Sequence, residues 1–372
     1  MTGNNVLGII FANVHDELIP ELTARRSMAS IPFGSRYRLI DFSLSNLVNA
    51  GVSKVGVITK ENYRSLMDHL GNGKAWDLDR KNGGIFIMPP FSNAKTGFFR
   101  GHVDALAGVM TYLTRSKEEY VVMCDADVIS NIDIADMVEN HINSGAEVTV
   151  AYKHGALPRS NHDIMVLDID DTNNVKNVDF VNRNGTEVDF SLDVFVIKRE
   201  LLIEWINEAN RRSAESLSHD VIVPRVPFGT VYGYKVEGFA EVVDSTASYV
   251  RISRMLLDKQ QRSSIFNKER PVYTKTRDDM PTRYGVNSSV SNCLIGDGCV
   301  IEGTVENSIL FRGVKIGKGA VVKDCILMQE TEIQDGCILE NVTADKAAVI
   351  TAGSTVKGSS DKNIFIGKEK TV

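Results

Sequence analysis

Two aspartates, Asp125 and Asp127, follow a short apolar run, residues 120–124, whose composition predicts a buried strand. In open α/β sheets, ligands bind at the edge formed by the carboxyl ends of the strands. A carboxylate at that edge can hold Mg²⁺ against the phosphates of a nucleotide. It can instead cap the following loop or helix, and the residue types leave both roles open. Asp127 is therefore a candidate Mg²⁺ ligand, with Mg²⁺ expected only if nucleotide binding is retained.

The loop after the first predicted strand lacks the residues that would hold a phosphate. Residues 6–12 form a continuous apolar run, typical of a buried parallel strand, and residues 13–20 follow as Asn-Val-His-Asp-Glu-Leu-Ile-Pro. A phosphate-binding loop needs glycines, so that backbone N–H groups can approach the anion, and usually a cation. This loop has no glycine, lysine or arginine, and it carries two carboxylates. We expect a scaffold for nucleotide chemistry without its phosphate-binding part.

A basic stretch could bind an anion. Residues 22–40 contain four arginines and no acidic residue, a net charge of +4 in a protein whose formal net charge is −6. These arginines are Arg25, Arg26, Arg36 and Arg38. Arginine suits phosphate because its guanidinium forms paired hydrogen bonds. The alternatives are a solvated basic surface or salt bridges to the C-terminal repeats described below.

Strand and helix patterns alternate through residues 1–245, which predicts an open, mixed α/β sheet. Helices are predicted after the first strand, where Ile40, Leu44 and Leu47 have helical spacing, and over residues 99–113 and 248–261. Residues 268–285 are polar and contain prolines, as in a linker. We therefore divide the chain into an α/β domain at 1–245, a helix and linker at 246–285, and a third region at 286–372.

The third region repeats a six-residue pattern. Four units begin at Ile295, Ile316, Ile333 and Ile350, which lie 21, 17 and 17 residues apart. Each unit has an aliphatic residue, two variable residues, a glycine and a small residue. The pattern predicts a left-handed parallel β-helix of hexapeptide units, with the aliphatic residues in the core and glycine at the turn. The alternative is irregular β-rich sequence.

Composition and charge exclude several classes of protein. A net charge of −6 over 372 residues does not suit a nucleic-acid binder with a broad basic face. The N-terminal apolar run is too short to span a membrane and lacks the flanks of an export signal, so we expect no membrane partner. Five cysteines without Cys-x-x-Cys spacing predict reduced thiols and a cytoplasmic protein.

The sequence PFGSRYRLIDFSLSN at 32–46, followed by NAG, resembles the N-terminal signature of ADP-glucose pyrophosphorylases, the bacterial glucose-1-phosphate adenylyltransferases. Catalytic members carry Gly-Gly-x-Gly-x-Arg-Leu in the first loop and a later Lys-Pro-Ala, where this chain has Met-Ala-Ser at 28–30. The pattern is similar to the GlgD-type companion subunit of that enzyme. The resemblance covers nearly the whole chain and implies a nucleotidyltransferase-like (Rossmann-like) domain followed by the β-helix. It also implies a role in glycogen synthesis and a catalytic partner subunit in a hetero-oligomer, expected to be a tetramer.

The resemblance also assigns roles around the predicted metal. The metal-binding aspartate of the family aligns with Asp127. The second metal carboxylate falls on Val242 when the sequences are aligned without gaps on Tyr249, and Asp244 could replace it only with a shift in register. The alignment therefore supplies one of the two metal carboxylates of the family, Asp127.

Three further segments correspond to binding positions of the family. Arg-Gly-His-Val-Asp-Ala at 100–105 resembles the family's Arg-Gly-Thr-Ala-Asp-Ala, which implies that Gly101 and Asp104 line a vestigial substrate pocket. The family's Glu-Lys-Pro corresponds to residues 182–184, where Arg183 keeps the charge of a lysine but not its geometry. The family's phosphorylated sugar effectors bind near the basic stretch, and its effector-site positions align with three residues here, Arg25, Arg26 and Arg38.

Three functions follow from these patterns. The first is a regulatory, catalytically poor subunit of ADP-glucose pyrophosphorylase, and the second is an active sugar-phosphate nucleotidyltransferase with a diverged phosphate loop. The third is a hexapeptide-repeat acyltransferase, which would use a histidine on or near the β-helix as general base. All seven histidines precede the repeats, which disfavours the third function.

Overall fold

The computed structural model describes residues 5–89, 99–157, 163–181, 187–360 and 362–372. An α/β region with a nine-stranded mixed sheet is followed by three parallel sheets of short stacked strands. The predicted combination of an open α/β sheet and a hexapeptide β-helix is confirmed. The handedness of the coil and the three-part division of the chain stay predictions.

In the main sheet, β1 is an interior strand between β6 and β4. The strands of this region are β1 (Val6–Phe11), β2 (Pro32–Phe33), β3 (Tyr37–Arg38), β4 (Lys54–Ile58), β5 (Gly84–Met88), β6 (Tyr120–Asp125), β7 (Val128–Ser130), β8 (Val148–Ala156), β9 (Ile164–Ile169), β10 (Val175–Val181), β11 (Glu187–Lys198), β12 (Val231–Lys235) and β13 (Ala240–Val242). The order is β10-β9-β11-β6-β1-β4-β5, with β8 paired to β11 and β12 to β8. Because β1 pairs parallel to β4 and β6, the carboxyl ends of these strands meet at one edge.

Helices cover both faces of the sheet. They are α1 (Pro20–Thr23), α2 (Ile40–Asn49), α3 (Arg64–Leu70), α4 (His102–Gly108), α5 (Met110–Arg115), α6 (Ile134–Ser144), α7 (Arg199–Arg211), α8 (Thr246–Met255) and α9 (Lys259–Ile265). Short 3-10 helices form at Asp16–Leu18, Met28–Ser30, Lys74–Trp76 and Val223–Phe228, and a π-helical turn forms at Ser218–Ile222. Ile10 packs in the apolar cluster that contains α2, and Ile9 in the cluster that contains α7. Burial on both faces explains why β1 is apolar throughout rather than alternating.

Two predicted helices are each divided in two. The helix predicted over 99–113 is interrupted at Val109, between α4 and α5. The helix predicted over 248–261 ends at Met255, and α9 then begins with Asp258 as its N-cap, whose side chain accepts the backbone N–H of Gln261. An apolar pattern that continues across a break hides the break, whereas the cap is a local signal.

The β-helix stacks its strands in register. The strands are β14 (Arg283–Tyr284), β15 (Ser289–Ser291), β16 (Leu294–Ile295), β17 (Val300–Ile301), β18 (Thr304–Glu306), β19 (Ile309–Leu310), β20 (Lys315–Ile316), β21 (Val321–Lys323), β22 (Ile326–Leu327), β23 (Glu332–Ile333), β24 (Ile338–Glu340), β25 (Val342–Ala344), β26 (Val349–Ile350), β27 (Thr355–Lys357) and β28 (Ile364–Ile366). Ile316, Ile333 and Ile350 lie in one row and are buried, as predicted. The residue before them in that row is Ile301, whereas Ile295 lies in another sheet opposite Leu310. The 21-residue spacing of the first unit was the sign of this different position.

The α/β region and the β-helix share an apolar interface. Phe33 and Tyr249 lie in one buried cluster with Phe311 and Met328 of the β-helix. The hydroxyl of Tyr249 donates to the carbonyl of Pro32 at 2.7 Å, which satisfies the polar atom of a fully buried ring. The two regions are therefore packed together through a core rather than joined by a linker alone.

Two further predictions concern the cysteines and membrane-spanning segments. All five cysteines are free. Within the described parts of the chain, no helix is long and apolar enough to cross a membrane.

Candidate functional site

A cluster of carboxylates and histidines lies at the carboxyl edge of β1 and β6. Asp125 ends β6 and Asp127 follows it, and both are buried. His15 comes from the loop after β1, and its Nδ1 lies 2.7 Å from Asp127 Oδ2 and 3.8 Å from Asp125 Oδ2. His102 begins α4, and its Nε2 lies 3.0 and 3.1 Å from the two oxygens of Asp125. We call these four residues, with Asp193, the carboxylate cluster.

The charged groups of this cluster shift one another's pKa values. Burial alone would lower the pKa of His15, but the charges of Asp127 and Asp125 and the hydrogen bond to Asp127 raise it to about 10. His15 is therefore positively charged at neutral pH. Burial, followed by the charge of Asp125, raises the pKa of Asp193, while His15 and His102 oppose that rise. An imidazole and two carboxylates thus lie together at the position where the family resemblance implies a metal ion.

The ligand atoms of the cluster are not the all-oxygen set that Mg²⁺ prefers, although those of His15, Asp125 and Asp127 lie close enough together to hold a metal ion. Mg²⁺ takes oxygen ligands in near-octahedral geometry and keeps several waters. Here Asp127 Oδ2 is hydrogen-bonded to a ring nitrogen, and Oδ1 is buried with no hydrogen-bond partner among the described residues. Val242, at the second carboxylate position, lies in β13 opposite Val128 and offers no ligand. Asp244 is buried, and its Oδ1 accepts from the hydroxyl of Ser245 at 3.2 Å.

The polar side chains of the loop after β1 form hydrogen bonds within the loop and to neighbouring residues. The amide of Asn13 donates to Asp16 and to the carbonyl of Glu61, while its oxygen accepts the N–H of Lys60. Asp16 Oδ1 accepts the backbone N–H of Met28 at 2.7 Å. Burial raises the pKa of Asp16 to about 6. A backbone donor that could face an anion is thus bonded to a carboxylate of the protein, which agrees with the expected absence of a phosphate-binding loop.

The residues predicted to line a substrate pocket have separate structural surroundings. Gly101 lies before α4 beside Asn13 and Lys60, and a Cβ there would come within 2.4 Å of the carbonyl oxygen of Glu215. Asp104 Oδ2 accepts from Arg100 Nε at 2.8 Å, so its carboxylate is paired within the helix start. Arg183 lies outside the described residues. Close packing and a local ion pair account for Gly101 and Asp104 without a ligand.

The three predicted effector arginines do not converge on one site. Arg26 is buried, and its Nη2 lies 2.7 Å from both carboxylate oxygens of Asp345 in the β-helix. Arg25 is exposed and pairs with Glu369 at 2.8 Å. Arg38 lines a cleft, where its Nη1 donates to the hydroxyl of Ser65 at 2.9 Å. The alternative of salt bridges to the C-terminal repeats therefore holds for Arg25 and Arg26, and also for Arg36, which pairs with Asp297 at 2.9 Å.

Arg38 belongs to a cleft between the α/β region and the β-helix. This cleft, which we call the basic cleft, has a volume of about 390 Å³ and includes three acidic residues, Asp68, Glu330 and Glu369. Its cationic residues come from the α/β region, the linker and the β-helix: Arg36, Arg38, Lys275, Arg277, Arg312, Lys346 and Lys368. Basic residues outnumber acidic residues by seven to three in the lining of the cleft, an excess that suits an anionic ligand.

Several cations of the basic cleft lack full compensation. Burial, followed by the charges of Arg38 and Arg26, lowers the pKa of Lys346 to about 7. Its Nζ has no hydrogen bond or ion pair with any described residue. Arg312 Nε is buried without a hydrogen-bond partner in the described chain and lies 3.7 Å from Asp279. A bound anion would neutralise these groups, so the cleft is a candidate anion site.

Sequence reasoning missed most of these residues. His15 and His102 appeared only as members of a loop and of a helix start, and nothing local indicated that they reach the same two aspartates. Lys346 and Arg312 lie in the repeats, far along the chain from Arg38. Their positions in the coils, beside the basic stretch, could be found only once the packing of the two regions was known.

Comparisons with known proteins agree with this architecture. The nucleotidyl transferase family matches residues 17–175, and the GlmU-like C-terminal hexapeptide family matches residues 278–371. The glycogen biosynthesis protein GlgD of Bacillus subtilis is 34% identical over 372 residues, which cover 99% of this chain and 97% of that protein. GlgD of Geobacillus stearothermophilus is 36% identical over 86% of this chain and 83% of its own length.

An enzyme of the same family is also similar. The glucose-1-phosphate adenylyltransferase of Pseudothermotoga lettingae is 31% identical over 98% of this chain and 88% of its own length. The similarity to this family thus extends along nearly the whole chain. The chain belongs to the ADP-glucose pyrophosphorylase family, as a member of its GlgD glycogen biosynthesis group.

Proposed function

We propose that this protein is a regulatory subunit for ADP-glucose synthesis in glycogen biosynthesis. It assembles with a catalytic glucose-1-phosphate adenylyltransferase subunit in a hetero-oligomer and changes the activity or effector response of that subunit. Alone, it has little or no activity in making ADP-glucose from ATP and glucose-1-phosphate. The two GlgD relatives, similar over most of the chain, support this assignment.

The observation that carries the proposal is the filled substrate edge. His15 pairs with Asp127, and Asp16 binds the N–H of Met28, so side chains of the protein occupy groups that would face a metal or a phosphate. Losing one preorganised donor to transition-state charge typically costs on the order of 10²–10³ in rate. The fold is retained while its chemistry is not, which suits a subunit that acts by binding.

The basic cleft gives the subunit a means of regulation. A phosphorylated effector would contact Arg38 and Lys346, which belong to the two regions that pack on each other. Binding there would favour one packing of the α/β region on the β-helix. Allosteric coupling is typically about 1–3 kcal/mol, or roughly 5–150-fold in affinity. This cleft replaces the set of Arg25, Arg26 and Arg38 as our proposed effector site.

The first coil of the β-helix offers a surface for the partner. Strands β14, β15 and β16 are edge strands, each paired on one side only within the described structure. Tyr284 and Val286 beside them are exposed, as is Met280 in the preceding segment. Unpaired strand edges with exposed apolar side chains favour association with another chain. We propose that the catalytic subunit packs here.

The test is a pyrophosphorylase assay of this chain alone, of its catalytic homologue alone and of the two mixed. We expect no turnover by this chain, a complex that elutes together on size exclusion, and a changed rate or effector response in the mixture. Robust turnover by the purified chain that Asp127→Ala abolishes would instead establish an active transferase. A complex with the same kinetics as the homologue alone would reject the regulatory role.

Two variants test the basic cleft and the proposed partner surface separately. Lys346→Gln should weaken the effector response of the mixture while leaving the complex intact, whereas Lys315→Gln, on the exposed side of the β-helix, should change neither. Val286→Asp should weaken the complex itself, because it places a charge in the proposed apolar contact. If Lys346→Gln responds like the parent, only the cleft assignment fails.

A further inference from the structure

One sheet of the β-helix carries two rows of outward-pointing side chains. The sheet is formed by β15, β18, β21, β24 and β27, which pair in parallel register. In β18, β21 and β24 the middle residue of each strand is buried in the coil. The first and third residues therefore point away from the coil, because successive side chains of a strand alternate between its two sides. We call the outward surface of β18, β21, β24 and β27 the flat face.

The first row of the flat face has apolar residues at its centre. From β18 to β27 the row consists of Thr304, Val321, Ile338 and Thr355, each opposite the next in the register of the strands. Val321 and Ile338 are 40% and 39% exposed. The order of two apolar residues between two threonines is the same in both directions along the β-helix. Apolar side chains surrounded by polar ones are typical of the centre of a protein interface.

The second row alternates in charge. From β18 to β27 it consists of Glu306, Lys323, Glu340 and Lys357. When the row is taken in the reverse direction, each position has the opposite charge. Lys323 lies 3.9 Å from Glu306, and Lys357 lies 3.9 Å from Glu340, but all four side chains are at least 39% exposed. Exposed pairs of this kind contribute little, so these side chains can take a further partner without losing a strong interaction.

We propose that the flat face binds the flat face of a second copy of this chain in a two-fold symmetric dimer. The two-fold axis runs along the strands in the plane of contact and passes between β21 and β24. It reverses the order of the coils and keeps each row opposite itself. Glu306 then faces Lys357 of the partner subunit, Lys323 faces Glu340 of the partner subunit, and the apolar residues meet at the centre. A symmetric contact requires a surface that is complementary to itself in this way.

The size of the flat face indicates a weak dimer. Four strands at the usual spacing span only about 20 Å, which makes an interface smaller than the standard size for stable complexes. We therefore expect the dimer to form reversibly. The inference does not rest on the proposed regulatory function, and it uses a different surface from the first coil, where we place the catalytic subunit. In a hetero-oligomer that contains two copies of this chain, the flat face would join those copies.

The experiment is sedimentation equilibrium of the full chain at low ionic strength, over a wide range of protein concentrations. We expect the parent to dimerise reversibly. Lys323→Glu and Glu340→Lys should each raise the Kd of the dimer by at least about 10-fold, because each places like charges opposite one another at two symmetric positions. The matched controls are Lys315→Glu and Glu332→Lys, which make the same changes of charge at paired positions of the neighbouring sheet. These controls should dimerise like the parent.

A mixture of Lys323→Glu and Glu340→Lys tests the orientation of the two copies. In the mixed dimer the two substituted positions face each other, and the native Glu340 of one copy faces the native Lys323 of the other, so opposite charges meet throughout the row. The mixture should therefore dimerise about as well as the parent, although each variant alone does not. Thermal unfolding midpoints equal to that of the parent will show that both variants are folded.

Three results would overturn the proposal. The first is a parent chain that stays monomeric at every concentration, including one that associates only with the catalytic homologue. The second is a parent dimer that the controls on the neighbouring sheet weaken as much as Lys323→Glu does. The third is a mixture of the two charge variants that dimerises no better than either variant alone, because the proposed two-fold axis requires their charges to be complementary.

Discussion

The buried ion pair between Arg26 and Asp345 gives the sharpest prediction about stability. The two side chains are 3% and 4% exposed, and both carboxylate oxygens lie 2.7 Å from the guanidinium. Arg26→Met would leave Asp345 buried without its partner cation. Breaking a buried pair in this way typically costs about 3–5 kcal/mol. Asp345 Oδ1 keeps the backbone N–H of Lys346 at 2.7 Å, so we expect a value near the lower end, about 3 kcal/mol.

The neighbouring arginine provides a matched control. Arg25 pairs with Glu369 at the same kind of distance, 2.8 Å, but the side chains are 60% and 54% exposed. Solvent screens such a pair, so Arg25→Met should lower the free energy of unfolding far less than Arg26→Met does. The double variant Arg26→Met with Asp345→Leu should recover much of the loss, because it removes both charges beside the buried Met328.

Urea unfolding of the four proteins, followed by circular dichroism, measures these differences. We expect the midpoint to fall in the order parent, Arg25→Met, double variant, Arg26→Met. If Arg26→Met is no less stable than Arg25→Met, burial of the pair does not set its energetic contribution and our reasoning is wrong. A phosphorylated ligand should not protect Arg26→Met selectively, since Arg26 is bonded to Asp345 rather than open to the cleft.

Two further predictions concern the β-helix and the basic cleft. Ile333→Asp should lower the free energy of unfolding by several kcal/mol, because it buries an unpaired charge. Ile338→Asp, at an exposed position of the next strand, should be nearly neutral. Equal thermal unfolding midpoints for the two variants would contradict the register of the coils. The folded chain disfavours charged Lys346, whose pKa is lowered to about 7 from 10.5, so this penalty is complete below pH 7 and disappears as pH approaches 10.5. Lys346→Met should therefore stabilise the chain most near pH 6 and little near pH 10, as measured by urea midpoints at both values; a pH-independent difference would refute the assigned burial of the charge.

The sequence predicted the elements whose signals are local. The apolar run of β1, the helical spacing of α2 and the glycine-bearing repeats each follow from the period of burial in one element. The absence of a phosphate-binding loop after β1 was also visible, because it depends on residue types over a short stretch. The division between α8 and α9 was not predicted, because the cap at Asp258 was not considered in predicting a single helix over 248–261.

The candidate sites could not be found in the same way, because their residues are distant in sequence. His15 and Asp127 are separated by 112 positions, and Arg26 and Asp345 by 319. The sequence of a net positive stretch is the same whether each arginine pairs with an acidic residue of the β-helix or is free to bind a ligand. The outcome depends on the register of the coils, which places Asp345 against Arg26 and leaves Lys346, the next residue, in the cleft.

The adjacency of Asp345 and Lys346 in the chain links the buried ion pair to the proposed regulation. Asp345 and Lys346 are consecutive, and Asp345 holds Arg26 while Lys346 lies in the basic cleft with Arg38. An anion in the cleft would favour the charged form of Lys346 and relieve repulsion among cations from both regions. The buried pair of Arg26 and Asp345 would meanwhile hold the same coil against the α/β region. A conformational change at the cleft would then alter the packing of the two regions, because the pair prevents them from separating. Effector binding should therefore fail to regulate the mixed complex in Arg26→Met even though Arg26 does not touch the effector, and unchanged regulation in that variant would argue against transmission through this interface.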